Sequence, residues 1–268
     1  MTNLGFIGAG NMGSAIIKGV IAAQSSGEKN IDIFAYDKDA SKLNTLEKIG
    51  VNKCADEADV VKKCKYVLLA VKPQGIDAAL EAIAPFVNGD TVIISIAAGI
   101  SEEYIKKMTI PEAKVVLVMP NTPLLLGEGA SALAKAEPTT DEEFGFVKNI
   151  FASSGVAEVV PINKMKEIIA INGSSPAFIY LFAKGFTEYA KSVGIDDGAA
   201  MNLFAQSLIG SAKMLTDSGY TVDELIKMVS SPGGTTLAGL DEFYKGNLTE
   251  VVGKACESCT KRAYELSK

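Results

Sequence analysis

The chain reads as an α/β protein: a doubly wound, mostly parallel sheet over residues 1–161, followed by an all-helical domain over residues 162–268. Three observations carry this reading. Apolar runs such as YVLLAV, TVIISI and KVVLVM are unbroken rather than alternating, as in strands covered on both faces. Segments of helical length separate these runs, the order that a parallel sheet with crossover helices requires. At VVPINK, near Pro161, strand patterns stop and helical periodicity takes over to the end.

Taken in order, Asn3–Ile7 is a strand, and a glycine turn leads from it into a helix over Met12–Gln24. Ile31–Tyr36 is the next strand, with a helix across Ala40–Ile49. Tyr66–Val71 is a strand, followed by a helix from Gly75 to Phe86. Thr91–Ile96 and Lys114–Met119 are further strands with a short helix from Ser101 between them. Ala130–Ala134 and Val156–Val160 are later strands around a helix near Asp141–Phe151. In the second domain Met165–Val193 reads as one long helix, and Asp196–Asp217 as another. Thr221–Val229, Thr235–Tyr244 and Leu248–Leu266 complete it. Its most apolar stretch, Ile168–Ala183, is expected to be a buried core helix with a defect at Asn172–Pro176. It is shorter than the ~20 residues of a membrane span. The long helices are so apolar (NLFAQSLIGSAKML), with so little chain left to cover them, that burial against a second copy is expected over burial within their own bundle.

Composition excludes several classes. Net charge is −6 and no Lys/Arg block interrupts it, which argues against nucleic-acid binding. MTNLGFIGAG lacks the basic and long apolar regions of a signal peptide, so a cytoplasmic, reducing location is expected. Cys256 and Cys259 form a C-x-x-C pair, open to a redox or metal reading. No βαβ redox context precedes it and no second ligand pair completes it, so two small residues on a helix face, with no metal, are expected. Histidine is absent, which excludes His triads, His metal sites and dehydrogenases with a His acid/base.

Gly8-x-Gly10-x-x-Gly13 sits between the first strand and the first helix, the context that makes this pattern a dinucleotide-binding, Rossmann-like turn. Gly8 permits the tight turn, Gly10 lets backbone approach a pyrophosphate, and Gly13 lets helix and strand pack closely. The phosphates then meet free N–H groups and the positive end of the helix dipole, so Ala9, Asn11 and Met12 belong to the same candidate cradle. Asp37, at the end of the second strand, is placed for a ribose 2′-hydroxyl and favours NAD, whereas Lys38 suits a 2′-phosphate. Ala70, Val71, Lys72 and Pro73 follow one strand, and Ala97, Ala98 and Gly99 follow another, where open α/β sheets hold ligands. The latter segment is small and uncharged, suiting a flat nicotinamide. Pro120 and Asn121, in VMPNTP, read either as a rigid rim of a hydride-transfer cleft or as a proline-rich turn.

Near the C-terminus, SSPGGTTLAGL reads as a helix start. Gly233 and Gly234 leave the first backbone N–H groups unshielded, and Thr235 and Thr236 add hydroxyl donors. Together they form a pocket for the carboxylate of a small metabolite, or else a simple helix cap.

FIGAGNMG, AVKP, SIAAG, MPNTP, NGSSPAF (Asn172–Phe178) and SSPGGTTLAGLDEF, in that order, resemble the motifs of the pyrroline-5-carboxylate reductase family over essentially the whole chain. The resemblance implies a Rossmann domain and a helical domain that interlocks with a partner's. It also implies active sites where the two domains meet, and assemblies larger than a dimer. It implies hydride transfer from NADPH, or from NADH, to the cyclic imine 1-pyrroline-5-carboxylate to give L-proline. The carboxylate would rest on amides of Gly234, Thr235 and Thr236, and the Thr236 hydroxyl would lie near the ring nitrogen, with Ser175 also able to orient it. An iminium carbon is already electrophilic, so position matters more than a protein acid, which accords with the missing histidine. One departure is Lys184, where the family commonly carries an acidic residue. It keeps open a β-hydroxyacid dehydrogenase with a lysine acid/base, although NGSSPAF is not that class's G-x-x-G-x-G pattern. A non-catalytic dinucleotide sensor is a further alternative.

Overall fold

The structure is a computed structural model and describes residues Thr2–Ser25 and Ile31–Ser267. The order of elements is β1 (Thr2–Ile7), α1 (Asn11–Ser25), β2 (Ile31–Tyr36), α2 (Leu43–Glu47), β3 (Asn52–Lys53), α3 (Glu57–Lys63), β4 (Tyr66–Leu69) and α4 (Ile76–Ile83). There follow β5 (Val92–Ser95), α5 (Glu102–Met108), β6 (Lys114–Met119), β7 (Gly129–Ala136), α6 (Asp141–Ala152) and β8 (Gly155–Val159). Helices α7 (Ser175–Ser192), α8 (Asp197–Asp217), α9 (Val222–Met228), α10 (Thr235–Lys245) and α11 (Leu248–Glu265) complete the chain. Among the described residues no helix is long and apolar enough to cross a membrane.

The strands form one eight-stranded sheet in the order β3-β2-β1-β4-β5-β6-β7-β8. All neighbours pair in parallel except β6 and β7. Because side chains alternate across a strand, its two faces feed two cores. Leu4, Phe6, Leu68, Ile94 and Val116 pack toward Ile16, Ile17 and Phe151 of α1 and α6. Ile7, Val67, Leu69, Ile93 and Val115 pack with Val60, Leu80 and Ile105 of α3, α4 and α5. Strand order reverses at β1, which lies between β2 and β4. A parallel sheet with such a switch point opens its ligand crevice beyond the carboxyl ends of the strands. The glycine turn, Asp37, Ala70–Pro73, Ala97–Gly99 and Pro120–Asn121 follow the carboxyl ends of β1, β2, β4, β5 and β6.

The expected helix over Met165–Val193 is corrected. A 3-10 turn (Ile162–Lys164) and a π-helical turn (Ile169–Gly173) come first, and α7 begins only at Ser175. Pro176 has no N–H, so it is accommodated in the first turn of a new helix rather than inside a continuous one. Nor is Ile168–Ala183 a buried core throughout. Ala170, Asn172 and Pro176 are buried, but Ile179, Tyr180 and Leu181 are exposed in this single chain. The helices expected over Ala40–Ile49 and Gly75–Phe86 each divide into α-helical and 3-10 segments.

Contacts divide the chain into two compact units, Met1–Pro176 with Ser258–Lys268, and Ala177–Glu257. The division expected from the sequence lies at Pro161. Residues 162–176 stay with the sheet unit because Met165, Ile168 and Ile169 pack in its second core. Within the helical unit the rings of Phe182, Phe186, Phe204 and Phe243 pack together. Ala190 is the unit's one buried residue, so the unit as it stands has almost no core of its own.

Candidate functional site

The turn after β1 is shaped as a phosphate cradle. Gly8 has φ +103°, and a Cβ there would lie 2.6 Å from the Ala70 carbonyl oxygen, so no side chain fits. A Cβ on Gly13 would meet the Gly8 carbonyl oxygen at 2.5 Å, which holds the start of α1 close to the turn. Gly10, between them, faces open space: nothing lies within 4 Å of the Cβ position. The chain is thus tight where it folds and bare where a pyrophosphate would approach. A groove of about 600 Å³ runs past Ala9, Gly10 and Asn11, with Lys18, Lys42 and Thr45 on its wall. These residues fit the diphosphate of a dinucleotide: unshielded backbone at a helix N-terminus, with lysines alongside.

Asp37 is tied to this turn. Its Oδ2 accepts the Ala9 N–H at 2.7 Å and its Oδ1 accepts the Asp39 N–H at 2.9 Å. The Lys42 ammonium donates to Oδ1 at 3.1 Å. The carboxylate is only 10% exposed. Burial alone would raise its pKa, but the Ala9 and Asp39 amides and the Lys42 charge outweigh it and hold it below the usual range. Lys38 is exposed and pairs with nothing among the described residues. Lys42 escaped the sequence reading, although a cation five residues after the strand-end carboxylate was there to be weighed.

Of the remaining candidates in the sheet unit, Ala70 touches the cradle directly, and its N–H donates to the Ile7 carbonyl at 2.8 Å. Lys72 and Pro73 are exposed at the head of a 3-10 turn. Ala97 and Gly99 line a cavity of about 370 Å³ with Met119, Lys166 and Tyr264, and Ala98 is exposed beside them. Pro120 and Asn121 are buried. The Asn121 Oδ1 accepts the Ala130 N–H at 2.9 Å, so this side chain serves the rim's own shape. Ser175 is half-buried at the first position of α7.

The other candidates lie in the helical unit. Ser231, Pro232, Gly233 and Gly234 make a turn closed by the Gly234 N–H on the Ser231 carbonyl at 2.9 Å. Proline followed by a glycine at φ +70° is the type II pattern. Gly234 then caps α10 in extended conformation, with no side chain bonded to the helix end and no acidic residue in the first turn. Thr235 and Thr236 are exposed. The result is an uncharged helix start with amide and hydroxyl donors free for an anion. Lys184, by contrast, is an exposed member of an i, i+4 pair, 3.5 Å from Glu188. Cys256 and Cys259 are half-buried free thiols.

Comparison with known proteins gives the chain's family. The family described as pyrroline-5-carboxylate reductase dimerisation matches residues 163–266, and that described as NADP oxidoreductase, coenzyme F420-dependent, matches residues 3–99. A pyrroline-5-carboxylate reductase of Methanosarcina acetivorans is 34% identical over 99% of this chain and 98% of its own. Among solved structures, a pyrroline-5-carboxylate reductase from Coxiella burnetii superposes with a TM-score of 0.90 at 31% identity, covering 100% of this chain and 99% of that one. The Plasmodium falciparum pyrroline carboxylate reductase, solved with NADP bound, gives a TM-score of 0.86 at 28% identity, covering 100% and 98%.

Proposed function

The chain belongs to the pyrroline-5-carboxylate reductase family, and from that membership we propose how its residues reduce 1-pyrroline-5-carboxylate to L-proline with NAD(P)H. The observation that carries the reading is one chain holding both a glycine cradle bare at Gly10 and an uncharged, uncapped helix start at Gly234–Thr236. The first fits a dinucleotide diphosphate and the second fits a small carboxylate.

The bound nicotinamide supplies the hydride. The protein's task is placement, which lowers the barrier because the two reactants are held rather than left to collide. Backbone amides of Gly234, Thr235 and Thr236 hold the substrate carboxylate. The Thr236 hydroxyl and Ser175 orient the ring nitrogen, which takes its proton from solvent before the C=N bond is reduced. Ala97, Ala98 and Gly99 form the small wall against a flat ring, and Pro120 and Asn121 its rim. Ala70 to Pro73 border the cradle. The lysine acid/base reading is not favoured, since Lys184 is paired on an exposed helix face.

NADPH is the preferred cofactor in this proposal. Asp37 is engaged by Ala9, Asp39 and Lys42 and is poorly free for a ribose diol. Lys42 and Lys38, the latter without a partner among the described residues, supply positive charge where a 2′-phosphate would need it. The chain acts as a homodimer through its helical unit, in which exposed Leu181 and Leu203 need a covering surface. Larger assemblies of such dimers follow the same logic. A cytoplasmic location fits the four free cysteines.

The test is oxidation of NADPH at 340 nm with pyrroline-5-carboxylate, run beside NADH. Turnover with a higher kcat/KM for NADPH is expected. Cofactor binding without turnover of the imine would overturn the reading.

A further inference from the structure

Two carboxamides hold the end of β6 against β7, and one of them, Asn172, has no part in the chemistry described above. Pairing of the two strands runs from Val115 opposite Ala136 to Met119 opposite Ala132. The next residue, Pro120, has no N–H to donate, and the chain then coils into the turn Thr122–Leu126. Ala130, two residues beyond the last pair, is left without a backbone partner on that side. Side chains replace the missing strand. Asn121 Oδ1 accepts the Ala130 N–H at 2.9 Å. Asn172 Nδ2 donates to the Ala130 carbonyl at 3.1 Å and to the Met119 carbonyl at 2.7 Å.

The orientation of the Asn172 amide follows from its neighbours, because only an NH₂ group can face two carbonyl oxygens. Its Oδ1 is then buried with no partner among the described residues, in a side chain 9% exposed. A buried acceptor without a protein partner is unfavourable and offsets part of what the two donated bonds contribute. The local backbone is unusual as well. Asn172 lies in the π-helical turn Ile169–Gly173, closed by the Ser174 N–H on the Ile169 carbonyl at 2.8 Å. Such wide turns concentrate at functional sites. This one turns Asn172 inward three residues before Ser175 opens α7.

We infer that Asn172 is a positioning residue for hydride transfer. It locks the rim at Met119–Asn121 to the start of β7 and to the segment leading into Ser175, so that both keep one placement. It touches neither substrate nor cofactor. The inference rests on the reductase reading, and turnover of pyrroline-5-carboxylate by the unaltered enzyme in the same assay tests that reading separately.

The experiment compares Asn172→Ala with the unaltered enzyme in four measurements: thermal melting, calorimetric binding of NADPH, steady-state kinetics, and the primary deuterium isotope effect with 4-deuterated NADPH. The expected result is a kcat lower by about ten- to a hundredfold. KM for the imine and the NADPH affinity should stay within about threefold. The isotope effect should rise as hydride transfer becomes more limiting. Asn172→Ser keeps one donor and is expected to recover part of kcat. A lower melting temperature with kcat and the isotope effect unchanged would make Asn172 merely structural and overturn the inference. If the alanine variant does not fold, the serine variant is judged by the same two outcomes.

Discussion

Removing one hydroxyl, in Thr236→Ala, separates ligand binding from folding in this chain. Thr236 is the second residue of α10 and is exposed, and no side chain caps that helix. Its hydroxyl has no partner among the described residues. Alanine is the better helix former by a few tenths of a kcal/mol, so the fold should be unharmed or slightly more stable. If the hydroxyl meets the substrate, the exchange deletes a hydrogen bond to a charged or polar ligand, worth about 1.5–3 kcal/mol. At 1.36 kcal/mol per factor of ten, kcat/KM for the imine should fall about 10- to 150-fold. Stopped-flow or steady-state NADPH oxidation measures that fall, and a urea titration measures stability on the same preparation. Thr236→Ser should restore most of the activity. A fall below about threefold would remove Thr236 from the site. A large fall accompanied by a lower urea midpoint would instead mean that the change acts through the fold.

Further outcomes are expected elsewhere. Lys42→Met should weaken NADPH binding about fivefold, a modest figure because the ammonium is 44% exposed, and leave NADH nearly unchanged in calorimetry; equal losses would refute a 2′-phosphate role. Gly8→Ala should abolish dinucleotide binding and destabilise by about 2 kcal/mol or more, since φ is +103° and the new Cβ would strike the Ala70 carbonyl; retained NADPH affinity would contradict the cradle. Burial alone would raise the Glu143 pKa, but Lys114, Lys65 and the Thr140 N–H bring it down to about 2. A depressed carboxyl stabilises the fold above its unfolded value of about 4.3, and this contribution of about 2–3 kcal/mol is lost as pH falls from about 5 to 2. Glu143→Gln should therefore be less stable at neutral pH and flatter over that window in urea titrations; parallel curves would refute the assignment. Leu181→Asp, at a residue 70% exposed in the single chain, should shift the sedimentation mass toward monomer, and an unchanged mass would place the interface elsewhere.

Elements with a strong local pattern were legible before any coordinates. The strands Ile31–Tyr36 and Lys114–Met119 match the sequence reading residue for residue, because an unbroken apolar run has one stable use in a covered sheet. The glycine spacing likewise declared its turn, since only glycine tolerates Gly8's φ and contacts. By contrast, β3 is two exposed polar residues, Asn52 and Lys53, and exists only because Phe34 and Ala35 of β2 pair with them. Helix α3 was missed although Asp56 caps it by accepting the Asp59 N–H, a signal the sequence did contain. The SPGGTT segment revealed its donors and their fit to a small carboxylate, and the resemblance alone named a metabolite for it.

What the sequence determined by itself is therefore the alternating sheet domain, the later helices, the cradle and the uncharged helix start, all of which follow from periodicity and from the backbone preferences of a few adjacent residues. The tertiary structure alone decided which polar groups serve the fold and which stay free. Asp37 is held by Ala9 across 28 residues of chain, and Asn172 by Met119 across 53. It likewise decided that the long helix would break at a π turn and that Leu181 of α7 and Leu203 of α8 would stay uncovered in a single chain. A side chain's partner is chosen by proximity after folding, and neighbouring residues in the chain carry no record of it.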